Sequence, residues 1–351
     1  MDVPSRFKRR GPSSRGLFSL VFSMNQGLIR LAVLSALGLF GVSLRSEPVT
    51  ALTFSPDGLV LVSSGSRCLE IRERVSGKIQ RRIPCDMPKI TGLAFRFDGK
   101  LLAVSGGTPG VEGTVAAYDW VTEKRIWHLS IPQDVATGVS FSPNGESVVA
   151  GCANHTAAVW SLDRNGMPPN HSMILTGHSG PVLCAIYNPD GRTILTGGAD
   201  RSIKVWSATD GKLVRSLGHH TDSVNTLAFL PGRNGGAAAP VACVSGSSDG
   251  SLRVWHPDLG RMVRIIRRSE GAVLALASSP DGNSFFSGDQ GGVMKQFGIE
   301  DDTVLRTWNV SRDWIYSLAV SPDGRTAAAG DWLGMVTLLP VQDGGHSEKS
   351  P

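Results

Sequence analysis

Charged residues, cysteines and long hydrophobic runs are all scarce in this chain. Only 19% of its 351 residues are charged. The apolar run at residues 31–44 is shorter than the roughly 20 residues of a membrane-spanning helix. The five cysteines are an odd number without close pairs, which argues against a disulfide framework, an attached haem or a zinc site. They are Cys68, Cys85, Cys152, Cys184 and Cys243.

Positive charge is concentrated at the amino-terminal end. Residues 1–45 contain seven basic side chains and one acidic side chain. The rest of the chain has 28 basic and 29 acidic residues, so it is almost neutral. The overall net charge of +5 is therefore no footprint for a phosphate backbone, and we expect no nucleic-acid partner.

Signatures of catalysis and of metal binding are also missing. The eight histidines are scattered and form no His-x-x-x-His pair with a nearby carboxylate. The glycine-rich stretches 106–110 and 232–236 do not join a strand to a helix, as a phosphate-binding loop would. We therefore expect no catalytic residue, no metal and no cofactor.

A repeat is the dominant feature that is present. Seven times, a short apolar strand pattern runs into a Ser-Pro-Asp-Gly-like turn, at intervals of 41–49 residues. The copies begin at Phe54, Phe95, Phe141, Tyr187, Phe229, Ser278 and Val320. Proline, Asp and Gly each favour one backbone position of such a turn. Because about 40–45 residues make one four-stranded blade, the repeat predicts an all-β, seven-bladed β-propeller of antiparallel blades over residues 47–341.

Two of the seven units carry a more specific pattern. In the fourth unit, His178 precedes the first strand, Asp200 lies in the turn between strands two and three, and Trp206 follows six residues later. The fifth unit repeats the pattern with His220, Asp249 and Trp255. This pattern resembles the WD-repeat family, in the bacterial type with Ser-Pro-Asp-Gly turns.

The resemblance implies a hydrogen-bonded tetrad within each of these two blades. Its fourth member is a strand Ser or Thr, which would be Thr196 in one unit and Ser245 in the other. The third unit keeps Trp160 but has Asn154 and Ala150 at the Asp and Ser/Thr positions. Units two, six and seven replace the tryptophan with Tyr118, Phe297 and Leu339.

The predicted function is a non-catalytic scaffold for protein partners whose identity the sequence does not give. The alternative is an enzyme, or a cofactor or metal binder, that uses the central channel of the propeller. That alternative needs carboxylates, histidines or arginines on several first strands. The side chains there are neutral instead: Thr50, Thr91, Thr137, Leu183, Asn225, Leu274 and Tyr316.

The seventh unit provides the candidate partner site. Aligning Ala329 with Thr196 places Trp332 in the loop between strands two and three, and Trp314 ends the loop that enters strand one. Both loop types open on the same face of a propeller, and aromatic side chains beside arginine are common interface anchors. The predicted partner-binding residues are Trp314, Trp332, Arg312, Asp313 and Asp331. The alternative is that one or both indoles pack between blades.

Residues 1–46 form a basic leader with an apolar segment, and residues 342–351 form a polar tail. The apolar run behind Arg30 resembles a secretory signal, with translation starting at Met1 or at Met24. This favours export, or a membrane tether through residues 28–44. Alternatively, part of residues 37–45 supplies the outer strand that the last blade lacks, and the protein is cytoplasmic. The two roles conflict, because cleavage near residue 43 would remove that strand.

Overall fold

The computed structural model describes residues 47–163, 165–168, 172–230, 242–300 and 302–341. The chain divides into two units, 1–44 and 45–351, and the described residues all belong to the second. They form seven antiparallel sheets, six with four strands and one with three. The predicted seven-bladed β-propeller is therefore confirmed. The leader and the tail lie outside the described residues, and so does the segment expected to complete the last blade.

Each blade is a meander in which the strands pair in chain order. Blade one has β1 (Leu52–Phe54), β2 (Val60–Gly65), β3 (Cys68–Glu73) and β4 (Ile79–Pro84); blade two has β5 (Lys89–Phe95), β6 (Leu101–Thr108), β7 (Glu112–Asp119) and β8 (Arg125–Pro132). Blade three has β9 (Ala136–Phe141), β10 (Ser147–Cys152), β11 (Thr156–Ser161) and β12 (Met173–Thr176); blade four has β13 (Val182–Tyr187), β14 (Thr193–Gly198), β15 (Ile203–Ser207) and β16 (Leu213–Leu217).

Blade five has β17 (Val224–Leu230), β18 (Ala242–Ser247), β19 (Leu252–His256) and β20 (Arg261–Ile266), with one 3-10 turn at Pro257–Leu259. Blade six has β21 (Val273–Ser278), β22 (Ser284–Asp289), β23 (Val293–Gly298) and β24 (Val304–Asn309); blade seven has β25 (Ile315–Val320), β26 (Thr326–Asp331) and β27 (Val336–Pro340). No helix in these described ranges is both long enough and apolar enough to cross a membrane.

The repeated turn joins strands one and two of a blade through its own side chains. In blade one, Ser55 Oγ donates to Asp57 Oδ1 at 2.5 Å, and the same oxygen accepts the main-chain N–H of Leu59 at 3.0 Å. Gly58 has φ +70°, a left-handed conformation that glycine adopts without steric cost. This arrangement fixes the reversal of the chain and sets the register of β1 against β2.

The hydrophobic core lies between neighbouring blades. Trp206 of blade four packs with Val149 and Leu175 of blade three, and Trp255 of blade five packs with Leu195 and Leu217 of blade four. A single four-stranded sheet cannot cover both of its own faces, so each blade supplies one wall of two such clusters.

Side chains at the start of the innermost strands join successive blades. Each of four hydroxyl or amide groups donates to a main-chain carbonyl of the next blade. The pairs are Thr50 to Ile90, Thr91 to Ala136 (2.5 Å), Thr137 to Val182 (2.7 Å) and Asn225 to Val273 (2.9 Å). These bonds join blade one to blade two, two to three, three to four, and five to six.

Blade seven closes directly on blade one. The main-chain N–H of Val49 donates to the carbonyl of Asp331 at 3.0 Å, and Ser317 Oγ donates to the carbonyl of Val49 at 2.8 Å. On the opposite face, Arg74 of blade one forms an ion pair with Asp323 of blade seven. The junction therefore has hydrogen bonds at one end and an ion pair at the other.

Candidate partner-binding site

The structure brings the four predicted residues of blade four into one hydrogen-bonded chain. His178 Nδ1 lies 2.9 Å from Asp200 Oδ2, and His178 Nε2 lies 2.7 Å from Thr196 Oγ1. Trp206 Nε1 donates to the same hydroxyl oxygen at 2.8 Å. Because a carboxylate only accepts, Nδ1 carries the proton, and in the neutral ring Nε2 accepts from Thr196. Each of these four side chains therefore has a hydrogen-bond partner within the network.

Blade five repeats this geometry with serine in place of threonine. His220 lies 2.8 Å from both Asp249 Oδ2 and Ser245 Oγ, and Trp255 Nε1 donates to Ser245 Oγ at 2.8 Å. Asp249 also accepts from Ser251 Oγ at 2.6 Å. The network ties the loop before strand one to strands two and three, so it positions the loops on this face of the blade.

The protonation states follow from burial and hydrogen bonding. Burial raises the pKa of Asp200, but hydrogen bonds from His178 and Ser202 outweigh it and hold that pKa well below its usual value. For Asp249 the hydrogen bonds from Ser251 and His220 likewise overcome burial, and the pKa is low. Burial lowers the pKa of His220. Both carboxyls therefore remain charged in the folded protein.

In blades six and seven, a buried aspartate lies two residues before the position that Asp200 and Asp249 occupy in blades four and five. The sequence analysis did not predict this arrangement. Asp289 accepts the main-chain N–H groups of Gly291 at 2.9 Å and Val293 at 3.1 Å. Asp331 accepts from Ser311 Oγ at 2.6 Å and from the N–H of Met335 at 2.8 Å. The Gly-Asp pair that ends strand two in both units was the available signal.

Three aromatic rings of blade seven meet on the face of the propeller that carries the tetrad loops. We call them the aromatic rim: Trp314, Tyr316 and Trp332. Ring centroids are 5.8 Å apart for Trp314 and Tyr316, 5.7 Å for Tyr316 and Trp332, and 6.3 Å for the two indoles. The N–H of Trp332 donates to the carbonyl of Trp314 at 2.9 Å, which joins the two loops. The predicted proximity of the two tryptophans is thus present.

The exposure of the predicted partner-binding residues is uneven. Trp314 and Asp331 are each only 5% exposed, so they support the loops from below and do not offer surface to a partner. Trp332, Tyr316 and Asp313 are half-buried, and Arg312 is exposed. The expectation of two indoles displayed together therefore needs correction, because Trp314 is buried and Trp332 is the accessible indole.

Two residues that the sequence analysis did not single out extend this surface. Leu333 is 42% exposed and Met335 is 60% exposed, and both follow Trp332 in the loop between β26 and β27. The available signal was two apolar residues in a turn, a position that polar residues usually occupy. The accessible surface at the aromatic rim combines the indole of Trp332 with the thioether of Met335 and the guanidinium of Arg312.

The channel residues have a structural role in four blades. The donors of Thr50, Thr91, Thr137 and Asn225 all bind the carbonyl of the following blade. In the part of the chain that the structure covers, no three histidine, cysteine or acidic side chains are grouped closely enough to hold a metal ion.

The WD40 family model, described as "WD domain, G-beta repeat", matches this chain five times. The matched residues are 42–71, 124–161, 169–207, 211–256 and 302–338, more than half of the chain. The last four matches begin 12 or 13 residues before the first strand of a blade, so each includes the outermost strand of the preceding blade. The first match begins 10 residues before β1.

Curated relatives match over shorter stretches. The guanine nucleotide-binding protein subunit beta of Schizosaccharomyces pombe is 29% identical over 160 residues, 45% of this chain and 50% of that protein. The small ribosomal subunit protein RACK1 of Drosophila melanogaster is 33% identical over 102 residues, 28% of this chain and 30% of the relative. Coronin-7 of Bos taurus is 29% identical over 133 residues, 37% of this chain and 14% of the relative. The chain spans at most half the length of these relatives, and all three are eukaryotic, which gives no support to the bacterial type.

Proposed function

Because this chain belongs to the WD40 family of G-beta repeats, we propose that it is a non-catalytic scaffold for protein partners. By their names, two relatives are parts of assemblies: a subunit of a guanine nucleotide-binding protein and a protein of the small ribosomal subunit. A fold alone does not define a function, so the proposal depends on the surface that this chain presents.

The aromatic rim is the observation that carries the proposal. Trp332 is half-buried and lies beside two exposed apolar side chains, Leu333 and Met335. Arg312 is exposed at the end of the neighbouring loop. Aromatic residues, methionine and arginine are enriched at the centres of protein interfaces, and a few such residues usually dominate the binding energy.

The geometry of the rim also explains how it is held in place. Trp314 is buried beneath it, and Asp331 ties the loop between β26 and β27 to Ser311 in the loop before β25. A surface that is already ordered loses less conformational entropy when a partner binds. The buried residues Trp314 and Asp331 are therefore positioning residues, and the accessible side chains around Trp332 contact the partner.

Replacing Trp332 with Ala tests the partner site. We expect a loss of the partners recovered by quantitative affinity capture, by about 30-fold or more, because an interface hot spot contributes at least about 2 kcal/mol. The melting temperature should change little, since the indole is only half-buried. Trp308→Ala, which removes a half-buried indole from β24 of blade six, is the matched control and should leave capture intact. Equal capture by the Trp332 variant and wild type would contradict the proposal.

We also propose a location for the protein outside the cytoplasm or at a membrane. The basic leader directs the protein out of the cytoplasm, or tethers it to a membrane through residues 28–44, as its charged start and apolar run support. The competing role is cytoplasmic, with residues 37–45 as the outer strand of blade seven. Sequencing the amino terminus of the protein recovered from cell fractions distinguishes the two roles.

A further inference from the structure

Four neighbouring turns of blades one and two form a continuous surface on the face opposite the aromatic rim. They are residues 55–59, 73–78, 96–100 and 119–124, and we call them the four-turn surface. Pro56 lies against Gly99, Arg74 Nη1 donates to the carbonyl of Gly58 at 3.4 Å, and the N–H of Trp120 donates to the carbonyl of Lys100 at 2.8 Å. These contacts link all four turns.

Each of the four turns displays a highly exposed apolar side chain. The exposed fractions are 70% for Leu59, 85% for Val75, 67% for Phe97 and 83% for Val121. Several exposed apolar side chains on linked neighbouring turns are typical of an interaction site. On the same face of the other blades, the exposed large apolar side chains of the described residues are Met167 and Leu259.

These apolar residues are departures from the repeat. Phe97 occupies the position of the proline in the other Ser-Pro-Asp-Gly-like turns, and Leu59 stands where other units have a polar or charged residue, such as Arg192 and Arg325. Val75 and Val121 occupy the position of Thr209 in the equivalent turn of blade four. The turns keep their backbone geometry without apolar residues, so the fold does not require them.

The charges of the four-turn surface are balanced. The surface carries three lysines, Lys78, Lys100 and Lys124, which have no ion-pair partner among the described residues. In the equivalent turn of blade four, by contrast, Lys212 pairs with Asp210 at 2.8 Å. Three carboxylates of the surface have hydrogen bonds to their own turns and no described cationic partner: Glu73 to Ser76, Asp57 to Ser55 and Asp119 to Thr122.

We propose that the four-turn surface is an interface between two copies of this chain. In a twofold-symmetric dimer the same patch contacts itself, so it must be complementary to itself. The surface presents four exposed apolar side chains together with three lysines and three carboxylates that have no ion-pair partner among the described residues, and this combination meets the condition. An anionic lipid surface would satisfy the lysines but would repel the three carboxylates, so a second copy fits the observations better.

Sedimentation equilibrium of the full chain, from about 1 to 100 µM, tests the dimer. We expect the mass to rise from 37.2 kDa towards twice that value. Val75→Thr/Val121→Thr restores the residue of blade four, and Phe97→Pro restores the common turn. Each should weaken association by about tenfold or more while leaving the melting temperature unchanged, and Thr209→Val, which adds an apolar residue to the blade four turn, should not alter association.

Charge-reversal variants provide a second test of the dimer. Lys78→Glu/Lys124→Glu should abolish dimerisation by placing like charges together, whereas the control Lys212→Glu on blade four should not. A mass of 37.2 kDa at every concentration would overturn the proposal, and so would a dimer that persists in the four-turn variants, which would assign association to another part of the chain. Binding of monomeric wild type to phosphatidylserine vesicles, lost in Val75→Thr/Val121→Thr, would assign the surface to lipid and also overturn it.

Discussion

At the scale of single residues, one hydroxyl group holds each tetrad together. Ser245 Oγ contacts both His220 Nε2 and Trp255 Nε1, and Thr196 does the same for His178 and Trp206. Removing the hydroxyl leaves two buried donor or acceptor groups without a partner, and each such group costs about 1–3 kcal/mol. The hydroxyl group is therefore needed by both the imidazole and the indole of each tetrad.

Ser245→Ala is expected to lower the free energy of unfolding by about 2–4 kcal/mol, because His220 Nε2 and Trp255 Nε1 both lose the hydroxyl that they contact. Denaturant unfolding followed by tryptophan fluorescence measures the change. Ser245→Thr is the matched control, since blade four uses Thr196 in the same role, and it should stay close to wild type. A Ser245→Ala variant as stable as wild type would show that the network contributes little.

Residue spacing predicted which side chains belong to the tetrads, because His, Ser/Thr, Asp and Trp recur at fixed positions in two units. It did not predict the buried aspartates of blades six and seven. Asp289 and Asp331 come two residues before the tetrad position, and their main-chain partners Gly291, Val293 and Met335 depend on the shape of the turn. Every residue has a main-chain N–H group except proline, so a side chain that binds main-chain groups has no characteristic partner residue in the sequence.

At the scale of strands and turns, the innermost strands are linked by side chains as well as by packing. Thr91 and Thr137 each donate a hydroxyl hydrogen bond to the next blade. In the first strand of blade four, Leu183 occupies the equivalent position, so this link is not needed at every junction. The apolar clusters between blades are the common element, and the hydroxyl bonds add local stability.

Thr91→Val/Thr137→Val removes both hydroxyl bonds and keeps the shape of the side chains. We expect a loss of about 2 kcal/mol in the free energy of unfolding, since each net hydrogen bond contributes about 1 kcal/mol. Chemical denaturation provides the measurement. Thr53→Val, whose hydroxyl bonds to Phe54 of the same strand, serves as the control and should change stability by less than about 0.5 kcal/mol. Equal effects at all three sites would contradict a specific role for the links between blades.

At the scale of the whole molecule, the junction between blades seven and one bears on the two proposed roles of the leader. The described strands of blade seven are β25, β26 and β27, whereas every other blade has four. Val49 bonds to both Asp331 and Ser317, so the chain enters blade one directly beside blade seven. The family match begins at residue 42, so it includes the last four residues of the segment 37–45 that is one proposed source of an outer strand.

Amino-terminal sequencing of the protein from separated cell fractions tests the leader. Export predicts a mature amino terminus near residues 44–47 in an extracytoplasmic fraction, because cleavage follows the apolar run. A membrane tether predicts an intact leader in the membrane fraction. Recovery of soluble cytoplasmic protein that retains residues 37–45 would contradict both and would favour the closing strand.

The sequence alone determined the architecture of this protein, because turn chemistry and strand length are local properties that repeat seven times. It also determined the membership of the two tetrads, whose residue types recur at fixed spacing. Only the tertiary structure decided which side chains face solvent. Trp314 is buried and Trp332 is accessible although both lie in loops of blade seven, since burial depends on packing against residues distant in the chain. The four-turn surface likewise exists only because the fold places two adjacent blades side by side.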